Sequence, residues 1–224
     1  MNKVIFVILL LSVTAFAQRN FVIKNASQNY DVKIEVAGCD NDICKGKVEY
    51  TIYKKGENKP SQIFNLADSG FLLKDNEFPS INITRLYDEQ SAVNLGDFNF
   101  DGMEDLALND GRNGGYGGAS YQVYLFSPQS KKFIRSQSFT NLAQGIYLGM
   151  FEVDNKRKVL RTFSKSGCCW HQTQEFQVVA NRPKKVLEVT EDATISDETK
   201  IAVTTKKLVG RKWRTSVKKV KREQ

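Results

Sequence analysis

The chain has a single histidine, His171, in 224 residues. A paired-histidine metalloprotease motif is therefore absent, and the cysteines do not show zinc-site spacing. No serine stands in a nucleophile elbow, and no glycine-rich phosphate loop opens a helix. Helical periodicity is almost missing; Thr140 to Gln144 offers at most one turn. Beyond residue 17 no apolar run approaches the roughly 20 residues of a membrane-spanning helix. These absences argue for a binding protein rather than an enzyme. A glycosidase built on two carboxylates leaves no linear signature, so a cell-wall hydrolase stands as a third reading.

The first residues read as an export signal. Lys3 supplies the positive start, Val4 to Val13 is a short apolar core, and Ala15-Phe16-Ala17 is a small-x-small cleavage site. The mature chain is expected to begin at Gln18, as one domain over residues 18–224, in the periplasm or secreted. No cysteine follows the cleavage site, which argues against a lipoprotein anchor. Four cysteines, Cys39, Cys44, Cys168 and Cys169, are expected to be oxidised in an exported chain. Cys39 and Cys44 bracket a plausible turn, but that pairing leaves two adjacent cysteines to each other. All three pairings stay open on sequence.

The net charge of +8 is local. Lys206 to Gln224 holds nine basic residues and one acid; the rest of the mature chain holds 23 basic and 24 acidic residues. A basic tail can meet nucleic acid, anionic lipid or an acidic partner. In an exported chain nucleic acid is the least fitting of these. The plainer alternative is a solvated edge hairpin whose lysines block strand-to-strand aggregation.

Most of the mature chain alternates β-branched and aromatic residues with polar ones, as half-buried strands do. Phe21-Val22-Ile23, Val32 to Val36, Val48 to Tyr53, Ile63 to Leu66 and Ile81 to Thr84 are early examples. Tyr121 to Phe126 is apolar on both faces apart from Gln122 and is expected at the centre of a sheet. Ile146 to Leu148, Met150 to Val153, Val159 to Phe163, Glu175 to Val179 and Val186 to Val189 continue the pattern. Lys200 to Leu208 and Lys212 to Val220 read as a closing hairpin. The expected class is all-β: antiparallel sheets in a propeller-like or sandwich/barrel arrangement. A hairpin unit at about 18–90 would pack against a core at about 91–224.

Asp97-Phe98-Asn99-Phe100-Asp101-Gly102-Met103-Glu104-Asp105 carries the densest chemistry. Oxygen-bearing side chains fall at alternate positions, Asp97, Asn99 and Asp101, followed by Asp105. A tightly curled loop can aim such side chains at one point, and calcium takes six to eight oxygens at about 2.3–2.6 Å. Gly102, sixth in the loop, suits the sharp turn, and Met103 would offer its backbone carbonyl. The twelfth position is Leu108 rather than a bidentate Glu, and the flanks read as strands. The loop is thus EF-hand-like without its helices, and resembles the calcium loops of integrin-type propeller repeats. The expected cofactor is Ca²⁺ in a structural role, since no water-activating base accompanies it.

Downstream lies Gly111-Arg112-Asn113-Gly114-Gly115-Tyr116-Gly117-Gly118. Five glycines in eight residues are costly to order and suit a backbone that approaches another surface closely. Tyr116 would project from this platform as an interface anchor, large, rigid and tipped by one hydroxyl. Calcium would stiffen this neighbouring segment into a docking surface.

Gly96 to Asp105, the glycine cluster, Ser120 to Phe126, Phe133, Ser166-Gly167-Cys168-Cys169-Trp170-His171 and Phe176 together resemble one family. It is that of the calcium-binding periplasmic immunity proteins of antibacterial type IV secretion systems, which are similar to periplasmic lysozyme inhibitors. The resemblance spans roughly residues 90–180. It implies inhibition of a peptidoglycan-cleaving, lysozyme-like hydrolase by a loop that plugs the substrate cleft. It implies Asp97, Asn99, Asp101 and Asp105 as calcium ligands, and Gly114, Gly117, Ser120 and Tyr121 as recognition residues. A basic target would require the basic tail to face away. The alternative is a calcium-dependent adhesion or glycan-binding module without inhibitory activity.

Overall fold

The computed structural model describes residues 18–74, 77–84, 90–195, 197 and 199–222. The expected export signal, 1–17, lies outside the described residues.

The described residues fold into three antiparallel sheets. The first contains β1 (Arg19–Ile23), β2 (Tyr30–Asp40), β3 (Ile43–Lys54), β4 (Pro60–Leu66), β5 (Gly70–Lys74) and β6 (Phe78–Pro79). Strand β3 is its spine: β2 runs along one side, while β4 and β5 share the other. The second sheet is a meander of β7 (Val93–Gly96), β8 (Asp105–Asn109), β9 (Tyr121–Ser127) and β10 (Lys132–Arg135). The third runs in sequence order through β11 (Glu152–Asp154), β12 (Val159–Ser166), β13 (Trp170–Val179), β14 (Arg182–Asp192), β15 (Lys200–Val209) and β16 (Lys212–Lys221).

The middle sheet is covered on both faces, because successive side chains of a strand point opposite ways. From β8, Leu106 and Leu108 enter a core shared with the first sheet, where Ile34, Tyr50, Ile52 and Phe71 lie. Ala107, between them, enters a second core with Leu160 and Phe176 of the third sheet. Strand β9 divides likewise: Tyr124 faces the first core, and Tyr121, Val123 and Leu125 the second. This explains why β9 reads as apolar on both faces. The first core joins Phe21 to Phe133, so the segments before and after residue 90 share one interior.

Two expected strands are not formed. Ile81 makes one parallel bridge to Val93, and Asn82 turns the chain out of extension at φ 59°. Ile146 to Leu148 is a loop between Gly145 and Gly149, both at positive φ. The expected helical turn forms as α1 (Gln137–Thr140) and starts three residues earlier than expected. Of the three possible disulfide pairings, the fold takes Cys39–Cys44 and Cys168–Cys169. Cys39 faces Cys44 across the β2–β3 turn, while the other two occupy the β12–β13 turn.

Candidate functional site

The acidic loop joins β7 to β8 and curls on its own backbone. Asp97 accepts the N–H groups of Asp101 (3.0 Å) and Gly102 (2.8 Å). Asn99 Oδ1 accepts the Asp101 N–H at 3.2 Å, and Asp101 Oδ1 accepts the Met103 N–H at 2.9 Å. Gly102 holds φ +88°, a conformation that glycine adopts without steric cost. Asn99 Nδ2 donates to Asp101 Oδ2 at 2.7 Å and to Asn181 Oδ1, in the β13–β14 turn, at 3.1 Å.

Asp105 differs from the other two aspartates. It is fully buried, and its carboxylate accepts N–H groups from Phe98 (2.9 Å), Asn99 (3.3 Å) and Phe126 (2.8 Å). Burial pushes its pKa up to about 7, against the pull of those donors and with a push from Asp101. Among the described residues, Asp97, Asp101 and Asp105 have no ion-pair partner. Their hard oxygens suit a divalent cation chemically. Among the described residues, however, no three His, Cys, Asp or Glu groups are gathered tightly enough to hold a metal.

The glycine-rich segment joins β8 to β9, so it lies at the other end of β8 from the acidic loop. Four residue steps separate Asp105 from Asn109, or about 13 Å of strand. The two loops thus leave opposite ends of β8, not one end as their closeness in sequence suggested. At the far end Asn109 Oδ1 accepts the N–H groups of Gly70 (2.7 Å) and Gly111 (3.2 Å), and Asn109 O accepts the Tyr50 hydroxyl at 3.0 Å.

Backbone approach is close here. A Cβ on Gly114 would stand 2.5 Å from the Ala119 carbonyl oxygen, and one on Gly115 2.7 Å from that of Ile146. Gly115 N–H donates to Tyr147 O at 2.7 Å, tying the segment to the loop that follows α1. Tyr116 stands at φ +55° with 66% of its surface exposed. Its hydroxyl oxygen accepts the Gly167 N–H at 2.6 Å, and Lys165 Nζ lies 5.0 Å from its ring centroid. Gly117 O accepts Arg112 Nε–H at 2.8 Å. Tyr116 thus forms one wall of an open groove of about 450 Å³, flanked also by Ile43, Leu72, Arg112, Leu148 and Lys165.

Ser120 and Tyr121 are fully buried. Ser120 Oγ donates to Asp110 Oδ1 at 2.6 Å and accepts the Asn113 N–H at 3.1 Å; the Tyr121 hydroxyl donates to Ser91 O at 2.7 Å. Burial raises the Tyr121 pKa. Both side chains hold the loop from below, whereas Tyr116 and Gly117 face solvent and Gly114 is half-buried. His171 lies on β13 beside Phe163, with ring centroids 5.7 Å apart.

Sequence reasoning missed the roles of Asn109, Lys165 and Asn181, and quoted Gly167 in a motif without giving it one. The Asn109-Asp110-Gly111 run is a turn signal that pointed to the first. The others reach the loops only through strand pairing.

No protein-family model and no curated protein matches the chain. Among solved structures, "Structure of a Xanthomonas Type IV Secretion System related protein" is similar, at a TM-score of 0.68 and 21% identity. The match covers 91% of this chain and 96% of that one. The two proteins share a fold over nearly their whole lengths.

Proposed function

We propose that this chain is an exported, calcium-binding inhibitor or immunity protein that blocks a lysozyme-like peptidoglycan hydrolase with its Gly/Tyr segment. The observation that carries this is Tyr116, a large aromatic held in solvent at positive φ by Gly167 and Lys165. A side chain fixed before contact loses little conformational entropy on binding. The groove beside it would take a rim segment of the hydrolase cleft while the Tyr116 ring enters the cleft. Gly114 and Gly117 let the backbone approach the target, and Ser120 and Tyr121 set the loop's position without touching it. The fold shared with a type IV secretion system related protein supports a place in such a system.

Asp97, Asn99, Asp101 and Asp105, with the Met103 carbonyl, would hold the Ca²⁺. The ion would neutralise carboxylates that, among the described residues, have no cationic side chain paired with them, and so stabilise the β7–β8 end of the middle sheet. Its influence on Tyr116 would pass along β8 rather than across a shared loop.

The test mixes the mature chain with a panel of muramidases, in calcium and in chelator. Inhibition of at least one enzyme, with a complex on size-exclusion chromatography, supports the proposal. Absence of both across the panel contradicts it. Binding to whole peptidoglycan without effect on any hydrolase would place the chain among glycan-binding modules instead.

A further inference from the structure

Strand β16 is exposed along its entire length, and among the described residues it pairs only with β15. Among the described residues no layer covers either of its faces. A sheet gains stability from packing one face, and only the hairpin tip extends as two strands beyond β14, an arrangement that is marginal in water by itself. Yet the ribbon carries apolar side chains in the open: Val209, Trp213, Val217 and Val220 are 44%, 45%, 63% and 42% exposed. Trp213 and its partner Leu208 lie on one face with Val217, Thr204, Lys219 and Lys221, while Val209 and Val220 lie on the other. At the tip, Leu208, Val209, Lys212 and Trp213 pair only among themselves, beyond the last β14–β15 pair, Leu187 with Lys207. Nine basic residues and one acid lie between Lys206 and Gln224.

Charge selects the occupant of this surface. A second copy would bring two strongly basic ribbons together, and edge lysines oppose such pairing. A soluble polyanion would satisfy the charges but leave Trp213 and Val217 in water. An anionic bilayer satisfies both: basic side chains meet the headgroups, and tryptophan favours the headgroup level. Long Lys and Arg stems can reach the headgroups from either face of a narrow ribbon.

We propose that the β15–β16 hairpin is a membrane-surface anchor that lays its Trp213/Val217 face on anionic lipid. The acyl-chain boundary receives Trp213 and Val217, and the flanking lysines and arginines hold the phosphate headgroups. The hairpin tip lies at the end of the third sheet opposite the Gly167 turn, so it can meet a membrane while the Tyr116 end stays accessible. The proposal does not rest on the inhibitor reading.

The test uses residues 18–224 with vesicles of phosphatidylcholine alone and of phosphatidylcholine mixed with phosphatidylglycerol, at fixed calcium. Trp170→Phe leaves Trp213 as the only tryptophan. Cosedimentation with the phosphatidylglycerol vesicles alone, weakened by salt and accompanied by a blue shift of Trp213 fluorescence, is expected. Trp213→Ala should weaken binding about tenfold. The triple variant Lys218→Gln, Lys219→Gln, Lys221→Gln should weaken it more than tenfold, each basic group adding several-fold. Circular dichroism and melting confirm that both variants are folded. Absence of binding to the anionic vesicles overturns the proposal. Unchanged binding in both folded variants also overturns it. So does capture by polyglutamate as tightly as by the vesicles with no fluorescence shift, which marks the surface as a polyanion site.

Discussion

Asp105 and Asn109 stand at the two ends of β8, and each side chain accepts hydrogen bonds from a different loop. Asp105 accepts N–H groups from Phe98 and Asn99 in the acidic loop; Asn109 accepts those of Gly70 and of Gly111 in the glycine-rich segment. Both side chains are fully buried. One strand therefore joins the two loops, and its neighbours β7 and β9 pair along it on both sides. Asp105→Ala leaves three backbone N–H groups without their acceptor. A loss of about 2–4 kcal/mol is expected, seen as a lower urea midpoint at unchanged slope.

On the proposed calcium role, calcium should raise the melting temperature of residues 18–224. At a hundredfold excess over Kd the gain is about 2.7 kcal/mol. Asp97→Ala and Asp101→Ala should abolish this gain, because each removes an oxygen donor from the curled loop. Differential scanning calorimetry with added calcium and with chelator measures it. An identical melt in both conditions contradicts a calcium role for the loop.

Tyr116 and Tyr121 are expected to separate cleanly. Tyr116 is exposed, so Tyr116→Ala should change stability by less than about 1 kcal/mol. Tyr121→Phe removes the donor to the Ser91 carbonyl inside the core and should cost about 1–2 kcal/mol. Urea unfolding checks both. Equal losses at the two positions would mean that Tyr116 is part of the packed body.

Acid should weaken the third sheet through Glu175. Arg157 and, less strongly, Arg161 hold this carboxylate below the ordinary glutamate range while burial opposes them. A carboxylate with a depressed folded pKa adds stability that is complete above the unfolded value, about 4.3. That stability is lost as pH falls through the folded value. Glu175→Gln should therefore destabilise the protein at pH 7 and flatten the fall in stability below about pH 4.5. Urea midpoints measured from pH 7 down to pH 3 compare the two proteins.

Much of the fold is legible in the residues. Alternation located β2, β3 and the closing hairpin, and the two-sided apolar character of Tyr121 to Phe126 located β9 and placed it inside a sheet. Ile81 to Thr84 and Ile146 to Leu148 have equally apolar sequences, but Asn82 and the glycines at 145 and 149 turn the backbone there. The candidate site was legible as two loops and not as an arrangement. Alternate oxygens and clustered glycines mark the loops locally. Their placement at opposite ends of β8 follows from the meander, and the support of Tyr116 by Gly167 comes from a strand pairing fifty residues away, which no local pattern encodes.

The most direct test compares the inhibition constants of the wild-type chain and Tyr116→Ala against the muramidase that the panel identifies, with both proteins shown to melt alike. An anchoring aromatic contributes about 2 kcal/mol or more at an interface, so the variant should inhibit about thirtyfold less tightly or worse. Equal inhibition by a folded Tyr116→Ala protein would contradict docking through the Gly/Tyr segment.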